Sequence, residues 1–316
     1  MAVEKKYRTV TVFAPASLSN LGPGFDVLGV ALEQPGDIVV AKRKSEQGLS
    51  FNVDGMEDNQ SGSEKKNVAA HVAGIMLQEF MLPFGLELTL HKKMPIGSGL
   101  GSSAASSVAA AVAVNALLPK PLKKPDLLRF CVEGERLASG SPHADNAAPS
   151  LFGGACLIRS YKPLDVVQIP VKNSFWFAVV HPHIVVMTKT ARKILPRNVS
   201  LRKAVNQWGN VSGLTVALMT GDARLFGKCM DDVIIEPVRA KLVPGFFEAK
   251  ATALSHGAFG CTLTGSGPSM FAVAPSKQKA REIGMAMART FSKVSDTKSD
   301  VFISRINMEG AKVVSY

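Results

Sequence analysis

A glycine-rich loop between a strand-like run and a small-residue segment constrains the fold of this chain more than any other feature. The run LELTL (Leu86–Leu90) alternates apolar and other side chains, as a strand does, and leads into PIGSGLGSSAAS (Pro95–Ser106). The stretch Ala104–Leu118 is mostly Ala and Val, interrupted by serines and Asn115, which predicts a closely packed buried helix rather than a membrane span. The sequence therefore predicts strand, glycine loop and helix in this order.

The loop has the residue types that an anion site needs. Gly97, Gly99 and Gly101 allow tight or positive-φ backbone and close approach to a ligand. The serines can cap the following helix, whose N-terminus carries free N–H groups and about half a positive charge. These features indicate a phosphate site, and a plain tight turn with a serine cap is the alternative.

Two common phosphate loops are excluded by spacing. A Walker A loop requires GxxxxGK[ST], and no lysine follows Gly101. A Rossmann fingerprint requires GxGxxG, whereas the glycines here are spaced G-x-G-x-G.

The remaining chain predicts an α+β protein of two domains. Its 316 residues suggest about two domains, and its strands and helices do not alternate regularly. We place the boundary in KPLDVVQIP (Lys162–Pro170), which gives domains of residues 1–165 and 166–316.

Local patterns predict several elements and their ends. The predictions are a strand at Tyr7–Pro15, a Gly/Pro turn over 17–29, an exposed loop over 57–67, helices that end at Gly140 and Gly221, and VFISRIN (Val301–Asn307) as the final strand.

Charge and cysteine content restrict the partners and the compartment. The formal net charge is +12, but the cations are scattered without interleaved aromatics, so no nucleic-acid partner is expected. The four cysteines form no CxxC pair and are expected to be reduced cytosolic thiols. No signal peptide or membrane-spanning run is evident, so a cytoplasmic protein without membrane association is expected.

Two further segments combine glycine with polar residues. PASLSNLGPGFD (Pro15–Asp26) contains Asn20 and Asp26, which alone would be capping residues. LTGSGPSMFA (Leu263–Ala272) lies between apolar runs and alone would be a hairpin turn.

Together the three glycine-rich segments resemble the three motifs of the GHMP kinase superfamily, and the resemblance covers nearly the whole chain. Four segments narrow it to the homoserine kinase family: NLGPGFDVLG (Asn20–Gly29), SGSPHADNAAP (Ser139–Pro149), TKTARKILP (Thr188–Pro196) and EPVRAKLVPG (Glu236–Gly245). HADN (His143–Asn146) is the most discriminating, because mevalonate-type kinases carry a different sequence there with a basic aspartate.

The resemblance implies a fold and an activity. The implied fold has an N-terminal part like the second domain of ribosomal protein S5 and a ferredoxin-like C-terminal part, with ATP between them. The implied reaction is ATP-dependent phosphorylation of the side-chain hydroxyl of L-homoserine to O-phospho-L-homoserine, a step toward threonine. Relatives are often homodimers, which is the only basis for expecting one here.

The resemblance also implies how ATP and Mg²⁺ are held. Ser102 and Glu135 match the metal positions; Glu133 is close in sequence, and a solvated helix-face carboxylate is the alternative for Glu135. The nucleotide would lie on the loop residues Pro95, Ile96, Gly97, Ser98, Gly99, Leu100, Gly101, Ser102, Ser103, Ala104 and Ala105.

The substrate positions carried over from the family suit an amino acid. Donors for the carboxylate would be Arg192, Arg239 and His143, although surface arginines are the alternative. Acceptors for the ammonium and hydroxyl groups, with one backbone position, would be Asn20, Asp26, Asp145, Asn146 and Gly265.

No general base is obvious. Asn146 stands where mevalonate-type relatives have the basic aspartate, and an amide cannot accept a proton at neutral pH. The residues expected at the reacting groups are Asn146, Asp26 and Arg192, and we expect in-line positioning, Mg²⁺ and helix electrostatics to carry the reaction.

Three other functions remain open at this point. The chain could be another GHMP kinase for a sugar or mevalonate-type substrate. It could be a non-catalytic GHMP-fold protein, although it retains the loop serine and the metal glutamate. Basic charge also leaves a nucleic-acid-binding role open as a weak alternative.

Overall fold

A computed structural model describes residues 8–54, 67–172 and 175–316. These residues form two sheets with helices packed on them, so the predicted α+β class is confirmed. The polar loop predicted over 57–67 lies, apart from Asn67, outside the described residues.

The larger sheet has seven strands drawn from both ends of the chain. Its strands are β1 (Thr9–Asn20), β2 (Gly24–Lys44), β3 (Leu49–Asp54), β4 (Gly85–His91), β5 (Ala155–Tyr161), β6 (Leu164–Ile169) and β11 (Lys312–Ser315). The order is β11-β1-β2-β4-β3, and β2 also pairs with β5, which pairs with β6. Only β3 and β4 run parallel among these pairs.

The helices beside this sheet are α1 (Val68–Glu79), α2 (Ser102–Leu117), α3 (Lys124–Ser139) and α4 (Ala147–Phe152). Of these, α1, α2 and α4 pack on its strands, whereas α3 packs on the other three helices. The small side chains of α2 are buried almost throughout, and this helix packs against β1, β2, α1 and α3. Alanine permits such close approach of backbones, which confirms the predicted buried helix.

The smaller sheet is antiparallel, in the order β10-β7-β9-β8. Its strands are β7 (Trp176–Pro182), β8 (Gly260–Leu263), β9 (Met270–Ala274) and β10 (Ser299–Ser304). The helices of this half are α5 (Thr188–Lys193), α6 (Leu201–Thr220), α7 (Ala223–Cys229), α8 (Glu236–Arg239), α9 (Phe246–Ser255) and α10 (Lys277–Ser295), with a 3₁₀ turn at Ala240–Leu242.

The predicted helix ends are confirmed where they depend on a single residue. Gly140 (φ 83°) and Gly221 (φ 76°) are the left-handed residues that end α3 and α6. Glycine adopts this conformation without a Cβ clash, so the sequence marks such ends directly.

Two sequence predictions are corrected. Residues 17–29 are not one turn, because β1 continues to Asn20 and β2 begins at Gly24. Ser17 and Ser19 stay in the ladder by pairing with Ala31 and Gly29 of β2. The segment 301–307 is not the last strand, since β11 follows it and pairs with β1.

The predicted domain boundary between residues 165 and 166 stays a prediction. It falls inside β6, whose residues pair with β5 in the larger sheet. In the described chain, no helix combines the length and the apolar character that a bilayer crossing needs.

Candidate active site

A cavity of about 400 Å³ is lined by residues from both halves of the chain. The glycine loop, α3 and the segment after it form one side, and α5, Arg239 and Gly265 form another. The three glycine-rich segments therefore meet at one place, as the sequence predicts.

The glycine loop follows β4, and three of its glycines have positive φ. Gly97 (φ 69°) and Gly99 (φ 78°) line the cavity. A Cβ on Gly99 would lie 2.6 Å from the Thr264 carbonyl oxygen, so this position contacts the chain's own third glycine segment. Its lack of a side chain is explained by this packing and not by ligand approach alone.

Not every predicted nucleotide-binding residue faces the cavity. Seven of them line it: Ile96, Gly97, Ser98, Gly99, Gly101, Ser102 and Ser103. The side chains of Leu100, Ala104 and Ala105 are instead fully buried in the core, and Pro95 is exposed. The predicted serine cap is wrong, because α2 has no side-chain cap and Gly101 is its N-cap residue. Ser102 instead donates its hydroxyl to the Met94 carbonyl oxygen (3.3 Å). The first N–H groups of α2 are thus not satisfied by a side chain, which favours an anion there.

A buried ion pair lies behind the first turn of α2. The Lys92 ammonium donates to the carboxylate of Asp37, to the Ser102 carbonyl oxygen (2.9 Å) and to Ser106 Oγ (2.9 Å). Burial lowers the pKa of Lys92, and the charge of Asp37 opposes that shift. Sequence reasoning missed Lys92, although it continues the inward-facing alternation of Leu86, Leu88 and Leu90.

Glu135 is carried into the cavity by the buried face of α3. Burial raises its pKa to about 7, while a hydrogen bond with Ser103 and the charge of Lys92 oppose the shift. The alternative Glu133 is ion-paired with Arg136 (3.1 Å) and is 40% exposed. Glu135 and the Ser102 hydroxyl are hard oxygen donors, so the residues present fit Mg²⁺.

Asp26, Arg192 and His143 form one connected group. Arg192 donates to Asp26 Oδ1 (2.5 Å) and to His143 Nδ1 (3.1 Å). Burial, followed by the charge of Arg192, lowers the pKa of His143 to about 4, so the ring is neutral at pH 7. Since Nδ1 accepts from Arg192, the proton of the neutral ring is on Nε2.

Asp145 lies beside this group and is almost fully buried. Burial and the nearby charge of Asp26 raise the pKa of its carboxyl to about 7. A cation bound here would reverse that shift.

The other predicted residues are fixed by contacts within the protein. Asn20 Nδ2 and Arg239 Nη1 both donate to the Gly265 carbonyl oxygen, at 3.0 and 2.7 Å. Asn146 accepts from Ser17 Oγ (2.9 Å) and donates to Ser19 Oγ (3.0 Å). The predicted substrate positions are therefore brought together around one cavity.

Several buried polar atoms in this cavity have no hydrogen-bond partner among the described residues. They are Glu135 Oε1, His143 Nε2, Asp145 Oδ1 and Arg192 Nε. Unsatisfied buried polar atoms are costly and rare, and their concentration here is typical of a ligand site. The two carboxylate oxygens can accept hydrogen bonds and the two nitrogens can donate them. The set therefore suits a ligand that carries a positive group and a negative group.

Family comparisons agree with the geometry. The sequence profile described as "GHMP kinases N terminal domain" matches residues 67–154, and "GHMP kinases C terminal" matches residues 214–293. The L. major mevalonate kinase structure in complex with R-mevalonate shares the fold, with a TM-score of 0.74 at 18% identity over 94% of this chain and 95% of that one.

Two relatives are much more similar. A homoserine kinase of Chlorobium phaeobacteroides (strain BS1) is 44% identical over 97% of this chain and 100% of the relative. The crystal structure of homoserine kinase from Cytophaga hutchinsonii ATCC 33406 has a TM-score of 0.93 at 44% identity, covering 99% of this chain and 100% of that one. The chain therefore belongs to the homoserine kinase family of the GHMP kinase superfamily.

Proposed function

We propose that this protein transfers the γ-phosphoryl group of ATP to the side-chain hydroxyl of L-homoserine. The products are O-phospho-L-homoserine and ADP, and the step leads toward threonine. The observation that carries the proposal is that two unsatisfied donors, on Arg192 and His143, line the same cavity as an unsatisfied carboxylate oxygen of Asp145 and the glycine loop. The names of the relatives support the same substrate.

We place the substrate carboxylate beside the cationic residues of the cavity. These are Arg192 and Arg239, and the Nε2–H of neutral His143 adds a third donor. Charge-assisted hydrogen bonds of this kind are short and about twice as strong as neutral ones.

The substrate ammonium is placed at Asp145, whose free Oδ1 is an acceptor for it. The other acceptors for the ammonium and hydroxyl groups are Asn20, Asp26 and Asn146, together with the backbone of Gly265, all of which line the cavity. An ammonium there restores the ionised form of Asp145, so amino-acid binding and Asp145 ionisation are coupled.

ATP is placed with its phosphates on the loop and the N-terminal turn of α2. The N–H groups at the start of α2, which no side chain caps, and the dipole of this buried helix supply positive potential where a Walker loop adds a lysine. The buried Lys92 ammonium holds that turn in place by donating a hydrogen bond to the Ser102 carbonyl oxygen.

Ser102 and Glu135 would hold Mg²⁺. The ion, when bound, neutralises charge on the transferred group. Glu135 is suited to this role because burial makes its free carboxylate unfavourable until a cation arrives.

The reaction is proposed to proceed without a general base. Asp26 is engaged with Arg192, and the Asn146 amide is held by two serines. A loose, metaphosphate-like transition state needs little early deprotonation, so the hydroxyl gives its proton to the phosphate late. Arg192, Asp26 and Asn146 then act by positioning the acceptor in line.

A coupled ADP-release assay tests the proposal, with L-homoserine, L-serine, L-threonine and mevalonate as separate acceptors. We expect release with homoserine and far less with the others, and more than about a hundredfold loss in the Glu135→Gln variant. Arg136→Gln, on the exposed side of the same helix, is the matched control. Release with mevalonate instead of homoserine would favour another GHMP kinase activity, and no release with any acceptor would favour a binding protein.

A cytoplasmic homodimer is part of the proposal. Cys131, Cys156, Cys229 and Cys261 are buried free thiols, as in reducing compartments. Exposed apolar side chains follow one face of α6, at Leu201, Val205, Trp208, Val216 and Met219, and would pair with a second copy. Trp208→Glu should convert a dimer to a monomer in light scattering, whereas a monomeric wild-type protein would refute this.

A further inference from the structure

The Phe25 ring contacts both arginines of the cavity. Its half-buried side chain lines the cavity at the start of β2. The guanidinium carbons of Arg192 and Arg239 each lie 5.0 Å from the centre of its ring. Arg192 comes from α5 and Arg239 from α8, so one ring contacts cations from two separate helices.

Two guanidinium groups that contact the same ring repel each other. Arg239 is 3% exposed, and burial, followed by the charge of Arg192, lowers its pKa to about 10. The negative face of an aromatic ring attracts cations within about 6 Å and so offsets part of that repulsion.

The ring holds the cations without using their N–H groups. A carboxylate in its place would accept those hydrogen bonds, as Asp26 does from Arg192. Arg239 already donates to the carbonyl oxygens of Gly265 and Ala191. An aromatic ring therefore keeps the remaining donors free for a ligand, and the Arg192 Nε atom is indeed unpartnered.

We propose that Phe25 is a positioning residue that holds the guanidinium groups of Arg192 and Arg239 side by side for the substrate carboxylate. The inference rests on the proposed function, because it assigns a role within the same amino-acid site. It does not require Phe25 to touch the substrate.

The first test compares Phe25→Leu with Phe25→Tyr. Leucine removes the ring, so the KM for L-homoserine should rise about tenfold, which corresponds to about 1.4 kcal/mol. The KM for ATP should stay within about twofold of wild type, because the proposed role of Phe25 acts on the two arginines and not on the glycine loop. Tyrosine keeps the aromatic face and should retain a KM near that of wild type.

Phe84→Leu is the matched control. Arg43 lies 4.3 Å from the Phe84 ring, and neither residue lines the cavity. This variant loses a similar contact but should keep the KM for homoserine. Phe25→Met repeats the test if Phe25→Leu lowers the melting temperature markedly.

The second test removes the substrate carboxylate. With L-homoserine amide as acceptor, the ratio of kcat/KM between wild type and Phe25→Leu should fall close to one. An equal loss with homoserine and its amide would mean that Phe25 packs on the substrate chain, and it would overturn the inference. An unchanged KM for homoserine in Phe25→Leu would also overturn it while leaving the proposed function intact. A wild-type protein that cannot use homoserine would refute the proposed function, and the role of Phe25 would fall with it.

Discussion

Asn146 is held on both sides of its amide, which limits what it can do in a reaction. Its oxygen accepts from Ser17 and its nitrogen donates to Ser19. A Cβ on Gly101 would lie 2.9 Å from the Asn146 oxygen, so the amide also packs on the start of α2. The residue connects β1 to the phosphate loop instead of presenting a base.

Asn146→Asp should therefore lower turnover. The new carboxylate loses the donor to Ser19 and adds a negative charge near Asp26 and Asp145, so we expect kcat/KM for homoserine to fall about tenfold or more. Asn146→Ala should fall as well. Steady-state kinetics measure both, and a faster Asp variant together with an unchanged Ala variant would restore the general-base hypothesis.

Asp145 predicts a dependence of stability on pH. Its pKa is raised from 3.8 to about 7 in the folded protein, so the folded state binds the proton more tightly than the unfolded state does. Ligand-free Asp145→Asn should thus be more stable than wild type above about pH 7. The advantage should shrink as pH falls from about 7 towards about 4, because wild-type Asp145 becomes neutral too.

Melting temperatures of the two proteins over this pH range measure the effect. Comparison with the variant cancels the opposing contributions of His143 and His181, whose pKa values are lowered to about 4 by burial. A stability difference that does not vary with pH would mean that Asp145 titrates normally. Asp145→Asn should also lose homoserine turnover, since the ammonium loses its anionic partner.

At the scale of elements, Gly101 lies where the start of α2 packs against Ser17 of β1 and against Asn146 before α4. Gly101 has φ 67°, and a Cβ there would lie 2.2 Å from Ser17 Oγ. Gly140, after α3, has φ 83° with nothing within 4 Å of its position for a Cβ. The two glycines share the left-handed backbone but differ in packing.

Gly101→Ala should raise the KM for ATP about tenfold or more, because the side chain pushes the first turn of α2 away from Ser17. Gly140→Ala should lower stability by about 1 kcal/mol and leave the KM for ATP unchanged. Kinetics and melting curves of both variants separate the effects. Equal changes in the two variants would attribute the loss to backbone strain alone.

Sequence reasoning succeeded for features decided locally. Gly140 and Gly221 end their helices by a backbone conformation that one residue determines. The candidate site was assembled from family motifs, and the structure brings those residues to one cavity. Lys92 was missed because its partner Asp37 is distant in sequence, and only folding places the two together.

At the scale of the whole molecule, the larger sheet depends on the C-terminal segment. The backbone of residues 305–307 bonds to Ala31, Glu33 and Gly154, and β11 pairs with β1. The sequence predicted neither β11 nor this return, because strand pairing at long range has no local signal.

A chain of residues 1–172 should therefore not unfold cooperatively. It retains β1 to β6 but loses the partners of the outer side of β1, of the Ala31 carbonyl and of the Glu33 and Gly154 N–H groups. Joining residues 299–316 through a flexible linker to the N-terminus of this fragment should restore a cooperative transition. Urea denaturation followed by circular dichroism compares the two, and a sharp transition in the short fragment would contradict the prediction.

The pairing of β1 with β11 has a consequence for the protein during synthesis on the ribosome. β1 emerges early, but its outer neighbour emerges only after all four strands of the smaller sheet. Domains that are continuous in sequence can fold as they leave the ribosome, N-terminal part first. Here the larger sheet waits for nearly the whole chain, so one edge of β1 stays open through most of translation and is a natural site for chaperone binding.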